Sequence, residues 1–256
     1  MRDMQDRDGM VRFGDVEDDY DLPDLGSSVL DRPFERVGRM MFEDLVDAPG
    51  TLAGRGGQIL AGAGLVLGSA LLDRRAARFV EERQSNKWIK QADRIGKGLP
   101  LLAMGLAGLA TLSAEDKRLS NTGMAALQAG GVGLLANLGI KRVVGRARPV
   151  DDLGPTDFSP FKRSDASFGS NHTTVMWAAV TPFAREYEAP WLYGVAALTN
   201  IGRVAGREHW VSDTVASSLI GYAIGSFFWE QRRKPKDGSP EISVSPTGVS
   251  ASWPLK

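Results

Sequence analysis

The sequence predicts an all-α protein, a compact bundle of about six apolar core helices with amphipathic helices around it and a short C-terminal β-hairpin. Six nearly continuous apolar runs carry that reading: Ile59 to Leu72, Leu99 to Leu112, Met124 to Ile140, Thr173 to Ala184, Pro190 to Ile201 and Val215 to Trp229. All are rich in Ala, Gly and Leu, which lets helices approach closely, and few windows alternate with the period of a strand. Upstream, Val37, Met40, Met41, Leu45 and Val46 recur at helical spacing among Arg36, Arg39 and Glu43 until Pro49-Gly50 ends the pattern, so an amphipathic helix is expected over Phe34 to Val46. Phe79, Val80, Trp88, Ala92 and Ile95 form a stripe through the charged stretch from Asp73 to Lys97. After Trp229 the composition turns polar, and the period-two pattern from Ile242 to Trp253 around Pro246-Thr-Gly248 predicts the hairpin.

The expected organisation is an acidic disordered tail over residues 1–33, a helical domain over 34–230, and a linker with the hairpin over 231–256. Nine carboxylates against three arginines in the first 24 residues, with few apolar groups, account for the tail. That stretch has no apolar segment of the kind a secretory signal requires. Lys plus Arg equals Asp plus Glu at 31 each, so the basic excess of a nucleic-acid binder is missing and no nucleic-acid partner is expected. The absence of cysteine removes disulfides, zinc-thiolate sites and thiol nucleophiles. The fourth and fifth apolar runs fall short of the roughly 20 residues a membrane span needs, and Arg185, Glu186 and Glu188 divide them. The runs therefore read first as helices buried in a soluble or peripheral bundle, and second as short, tilted membrane helices.

Three short segments concentrate the chemistry. Lys141 and Arg148 are seven residues apart, two turns if helical, and Pro149 disfavours helix at Arg148, so two cations are expected to converge at a helix exit. In Ser167-Phe-Gly-Ser-Asn-His172, Ser170 can cap a helix whose first amides would face an anion, with His172 in the first turn. In the stretch from Arg203 to Asp213, His209 and Asp213 are four apart, a spacing at which the carboxylate can accept a hydrogen bond from one imidazole nitrogen and leave the other for chemistry. Taken singly, these are also a solvated cap or interfacial anchor, an ordinary helix start and a surface His-Asp pair.

In combination, order and spacing, the three segments resemble the signature of the type 2 phosphatidic acid phosphatase superfamily, which also contains class A bacterial acid phosphatases and vanadium haloperoxidases. That pattern runs Lys, six residues, Arg-Pro; then Pro-Ser-Gly-His; then Ser-Arg, five residues, His, three residues, Asp. Lys141, Arg148, Pro149, Ser170, His172, Arg203, His209 and Asp213 match it, and the resemblance extends from about Leu99 to Trp229. Gly169 stands where the family has proline, Asn171 where it has glycine and Gly202 where it has serine. Asn171 is expected to take over the glycine's positive-φ backbone, with Gly169 freeing the turn that proline fixes.

The resemblance implies a metal-independent, cofactor-free hydrolysis of phosphate monoesters or pyrophosphates, with a phosphorylated lipid or a small phosphate ester as substrate. Lys141, Arg148 and Arg203 would hold the phosphate with backbone amides near Ser170 and Asn171. His209, oriented by Asp213, would form a phosphohistidine, and His172 would protonate the leaving oxygen. The implied setting is membrane-associated or extracytoplasmic, with a membrane surface as a partner. Arg142, Arg146 and Arg148 would suit an anionic interface. The competing readings are a non-enzymatic phospholipid-binding or scaffold relic and a vanadate-dependent haloperoxidase.

Overall fold

Each of the six apolar runs forms a helix in the computed structural model, which describes residues 56–113, 115–233, 241–245 and 248–252. The seven α-helices among the described residues are α1 (Gly56–Ala70), α2 (Asp73–Glu81), α3 (Lys87–Thr111), α4 (Lys117–Val144), α5 (Asn171–Glu186), α6 (Trp191–Ala205) and α7 (Val211–Arg233). The all-α class is therefore correct. The expected acidic tail and the amphipathic helix over Phe34 to Val46 lie outside the described residues. At the other end α7 continues to Arg233, three residues into the expected linker, and beyond it the backbone of Glu241–Ser245 pairs antiparallel with Gly248–Ser252.

Capping explains why the helices begin where they do. Asn86 accepts a hydrogen bond from the Trp88 amide at 2.8 Å, Asp116 from Leu119 at 2.9 Å, and Ser170 from Thr173 at 3.4 Å, each satisfying a first-turn donor of α3, α4 or α5. The core is built largely from alanine. Ala125, Ala129 and Ala178 pack with Phe228 where α4, α5 and α7 meet, and Met176, Val180 and Ala196 join α5 to α6. Small side chains let α5 and α7 approach until a Cβ on Gly221 would meet the Trp177 Cβ at 2.8 Å. Buried hydroxyls in these helices bond back to their own backbone, as Ser217 Oγ does to the Asp213 carbonyl (2.7 Å) and Thr181 Oγ1 to that of Trp177 (2.7 Å).

Two expectations fail at the periphery. The first apolar run is not core and the second is so on one face only: α1 buries none of its residues, and in α3 Pro100 and Ala107 are buried while Leu101, Leu102, Leu106 and Leu109 face outward. Of the stripe between Asp73 and Lys97 only Val80 is buried, while Phe79 and Trp88 are exposed, because the chain breaks into two helices at Glu82 to Asn86. Among the described residues one helix, Lys117–Val144, is long and apolar enough to cross a membrane; α1 and α2 together pass the same test with a 43° bend.

Candidate active site

Four chain segments meet at one end of the bundle: the exit of α4, the start of α5, the end of α6 and the start of α7. The α4 helix stops at Val144, capped by Gly145 in the left-handed conformation, so Lys141 and Arg148 do not share a helix face as their spacing suggested. Arg148 instead has extended backbone (φ −83°, ψ 157°), as expected before proline, and leads into a 3-10 turn at Pro149–Asp151. Lys141 Nζ donates to the Ala166 carbonyl at 2.6 Å, tying the α4 exit to the loop before α5. Burial and the neighbouring Arg148 lower its pKa from 10.5 to about 8.

His209 is 3% exposed, and its Nδ1 lies 2.7 Å from the carbonyl oxygen of Ser167. A carbonyl can only accept, so the neutral ring carries its proton on Nδ1 and presents the Nε2 lone pair. Burial, reinforced by the positive charges of Lys141, Arg203 and Arg148, pushes its pKa well below the ordinary imidazole value. His172, the second residue of α5, is only partly buried, and its pKa is lowered by burial and by Arg203.

The expected hydrogen bond between Asp213 and His209 is not formed. Asp213 is fully buried and its carboxylate is filled by other donors: Arg146 Nη1 at 2.5 Å, the Trp210 amide at 2.9 Å and the Ser167 hydroxyl. The reason is steric order within α7. Asp213 is in its first turn and folds back over the helix N-terminus as a cap, leaving His209, two residues before the helix, to reach Ser167. Asp213 is thus linked to the imidazole through Ser167, whose hydroxyl donates to the carboxylate and whose carbonyl accepts from the ring.

Arg203 ends α6 and is 4% exposed. Its nearest carboxylates, Asp93 and Glu208, are at 3.6 and 3.7 Å, beyond hydrogen-bond range, and its Nε and Nη1 are buried without a hydrogen-bond partner. Buried guanidinium donors left unpaired are costly unless an anion completes them. Arg148 differs: Glu208 and Asp165 both accept from it.

The three departures from the family pattern have local explanations. Gly169 has φ +88°, and a Cβ there would meet the buried Asn137 side chain, with Cγ 3.0 Å away. Asn171 is the first residue of α5 and helical, contrary to the expected positive φ; its Oδ1 accepts from Asn137 Nδ2 at 2.8 Å. Ser170 also departs from expectation, since its amide donates to Ser217 Oγ at 2.7 Å and is taken up within the protein. The first-turn amides of α5 beyond it are the ones a helix leaves without internal partners. Gly202 lets α3 and α6 cross in backbone contact, a Cβ on it falling 2.5 Å from the Gly96 Cα, which sets the depth of Arg203. Restoring the family's proline at position 169 should therefore not improve the site. Gly169→Pro forces φ near −65° onto a position at +88°. Turnover should fall at least about tenfold, with a destabilisation of about 1–3 kcal/mol seen in thermal unfolding.

Several residues here escaped sequence reasoning. Arg146, expected to face an interface, is 5% exposed and sits among carboxylates; Asn137 and Asp73 had no motif to mark them, and Ser167 and Glu208 lay within the singled-out segments without an assigned role. Among the described residues no group of three or more His, Cys, Asp or Glu converges as a metal-ligand set would.

Comparison with curated proteins and with solved structures finds no match. A family model described as the PAP2 superfamily matches residues 122–237, a stretch that contains Lys141, Arg148, Ser170, His172, Arg203, His209 and Asp213. Over that stretch the chain is similar to the PAP2 superfamily, a family of phosphatases and related hydrolases in general.

Proposed function

We propose that the protein hydrolyses phosphate monoesters or pyrophosphates through a phosphohistidine on His209, with lipid-linked phosphates as the favoured substrates. The observation that carries this reading is the arrangement around His209: a buried neutral imidazole with Nε2 available, under the combined positive charge of Lys141, Arg203 and Arg148. In the first step Nε2 attacks phosphorus, the bond to the leaving oxygen breaks, and His172 delivers a proton to that oxygen. In the second, His172 takes a proton from water, the resulting hydroxide attacks phosphorus, and the P–N bond breaks to release phosphate and neutral His209. The three cations and the α5 amides stabilise the charge spread over the nonbridging oxygens, where electrostatic positioning supplies most of the acceleration.

The lipid preference and membrane association rest on the surface. Ile59, Leu60, Leu65 and Leu67 of α1 and four leucines of α3 are exposed, a concentration larger than the scattered apolar residues of a soluble surface. A helix apolar on every side belongs in a core or in a bilayer, and α1 is not in the core.

The pH dependence tests the assignment of acid and nucleophile. His209 must be neutral and His172 protonated in the active free enzyme. Both pKa values are lowered, His209 further, so there is a window in which this combination is the equilibrium form. It lies below the ordinary imidazole pKa of about 6.5. Activity as kcat/KM should fall with rising pH as His172 loses its proton, fall with decreasing pH as His209 gains one, and peak on the acid side of 6.5. Phosphate release from a chromogenic monoester and from phosphatidic acid vesicles, with chelator present, measures it. A maximum above pH 8, where Lys141 has also lost its proton, would exclude these roles.

A further inference from the structure

Asp73 lies outside the family stretch and outside every motif, yet its carboxylate is completely sealed from water. It opens α2 and reaches across to the start of α7. Its Oδ1 accepts from the Ser212 amide at 2.9 Å, and its Oδ2 from Ser212 Oγ at 2.6 Å and from Arg146 Nη2 at 2.8 Å. Carboxylates are seldom fully buried, and an ionised one tolerates it only with such a complete set of donors.

Arg146 is the hub. Its Nη1 donates to Asp213 Oδ1 at 2.5 Å and to Ser212 Oγ at 2.8 Å, and its Nε to the Pro155 carbonyl at 2.8 Å. The rings of Trp210 and Phe158 lie 5.6 and 5.7 Å from its guanidinium carbon. One buried cation is thus gripped between two buried anions, Asp73 on one side and Asp213 on the other. The same arginine controls Ser167 twice. The Ser167 amide donates to the Arg146 carbonyl at 2.7 Å, and the Ser167 hydroxyl donates to Asp213, the carboxylate that Arg146 holds. The third polar group of Ser167, its carbonyl, is the acceptor of His209 Nδ1.

We propose that Asp73 is a positioning residue for the nucleophile: through Arg146 and Asp213 it fixes the Ser167 carbonyl that sets the tautomer and direction of His209. This inference rests on the phosphohistidine reading above. Without the Asp73 carboxylate, Arg146 is pulled toward Asp213 alone and the residue preceding Asp213 loses its acceptor for both amide and hydroxyl. The Ser167 carbonyl then drifts, and His209 Nε2 with it. Arg148 and Arg203 bond neither to Asp73 nor to Ser167, and of the three cations only Lys141, through the Ala166 carbonyl, touches the loop that holds Ser167. Loss of Asp73 therefore affects attack more than binding.

The test is Asp73→Asn in the full chain, nearly isosteric, assayed with a chromogenic phosphate monoester and with vanadate as a competing oxyanion. The expected result is a fall in kcat of roughly 10- to 100-fold, the scale seen when an outer-shell partner that orients a metal-bound imidazole is lost. KM and the vanadate inhibition constant should stay within about threefold of wild type. Arg146→Lys, which cannot bridge two carboxylates as a guanidinium does, should give the same pattern, and the double variant should be no worse than the worse single one. Wild-type kcat in Asp73→Asn, or additive effects in the double variant, would overturn the proposal. So would joint loss of turnover and vanadate inhibition, which would make Asp73 a support of the fold alone. If the wild type is inert toward every ester, the phosphatase reading fails and carries this inference with it. If the wild type is active and Asp73→Asn equals it, only this inference fails.

Discussion

Replacing His209 with asparagine is expected to reduce phosphate release on the order of 10⁶-fold, the scale of losing a covalent nucleophile or its partner base. Asparagine is the informative substitution because His209 is buried and its Nδ1 serves the Ser167 carbonyl. The asparagine amide keeps a donor for that carbonyl, so the loop stays satisfied while the Nε2 lone pair disappears. Alanine would add a cavity and a stranded acceptor, mixing a folding defect into the result. Unchanged thermal unfolding together with the loss of turnover separates chemistry from stability. A folded His209→Asn protein turning over near the wild-type rate would remove the covalent mechanism.

The second large effect concerns the cations, which the structure divides into unequal partners. Arg203 has Nε and Nη1 buried without hydrogen-bond partners, whereas Arg148 is already engaged by Glu208 and Asp165. A phosphate must displace two carboxylates hydrogen-bonded to Arg148, whereas at Arg203 the carboxylates of Asp93 and Glu208 stand off at 3.6 and 3.7 Å and leave Nε and Nη1 unbonded. Arg203→Ala should therefore cost about 2–4 kcal/mol of transition-state stabilisation, roughly 30- to 1000-fold in turnover, and Arg148→Ala distinctly less. The loss should appear in kcat more than in KM, since charge on the phosphoryl oxygens grows toward the transition state. Steady-state kinetics of the two variants decides it. An effect of Arg203→Ala confined to KM would make it a ground-state binding residue.

The contrast between what the sequence discloses and what it hides follows from range. Helices declare themselves locally: the runs from Ile59 to Trp229 each became one, and caps such as Ser170 stand beside the amides they serve. The candidate site residues could be picked out because the resemblance fixes their types and spacing. Long-range partnerships left no such trace. Nothing in the spacing of His209 and Asp213 says that Ser167, 42 residues before the imidazole, would accept the imidazole hydrogen bond, because that choice depends on where the loop from Gly145 to Ser170 is folded. Arg146 and Arg148, two residues apart, look alike as cations, yet one is sealed beneath Trp210 and the other faces the site. The roles of Gly169 and Asn171 were likewise exchanged in expectation, since the Asn137 side chain that decides between them comes from a different helix. Burial was the weakest inference: apolar composition alone cannot tell a core helix such as α5 from an outward-facing one such as α1.

The central claim is that phosphorus becomes bonded to His209. Rapid acid-free quenching of the full chain during turnover of a phosphorus-labelled monoester, followed by peptide mapping under alkaline conditions, tests it most directly. Label is expected on the peptide containing His209, stable to base and lost in acid, and absent from His209→Asn. Label on His172, or active turnover with no base-stable phosphoenzyme at any time point in either wild type or a slowed Asp73→Asn variant, would contradict it.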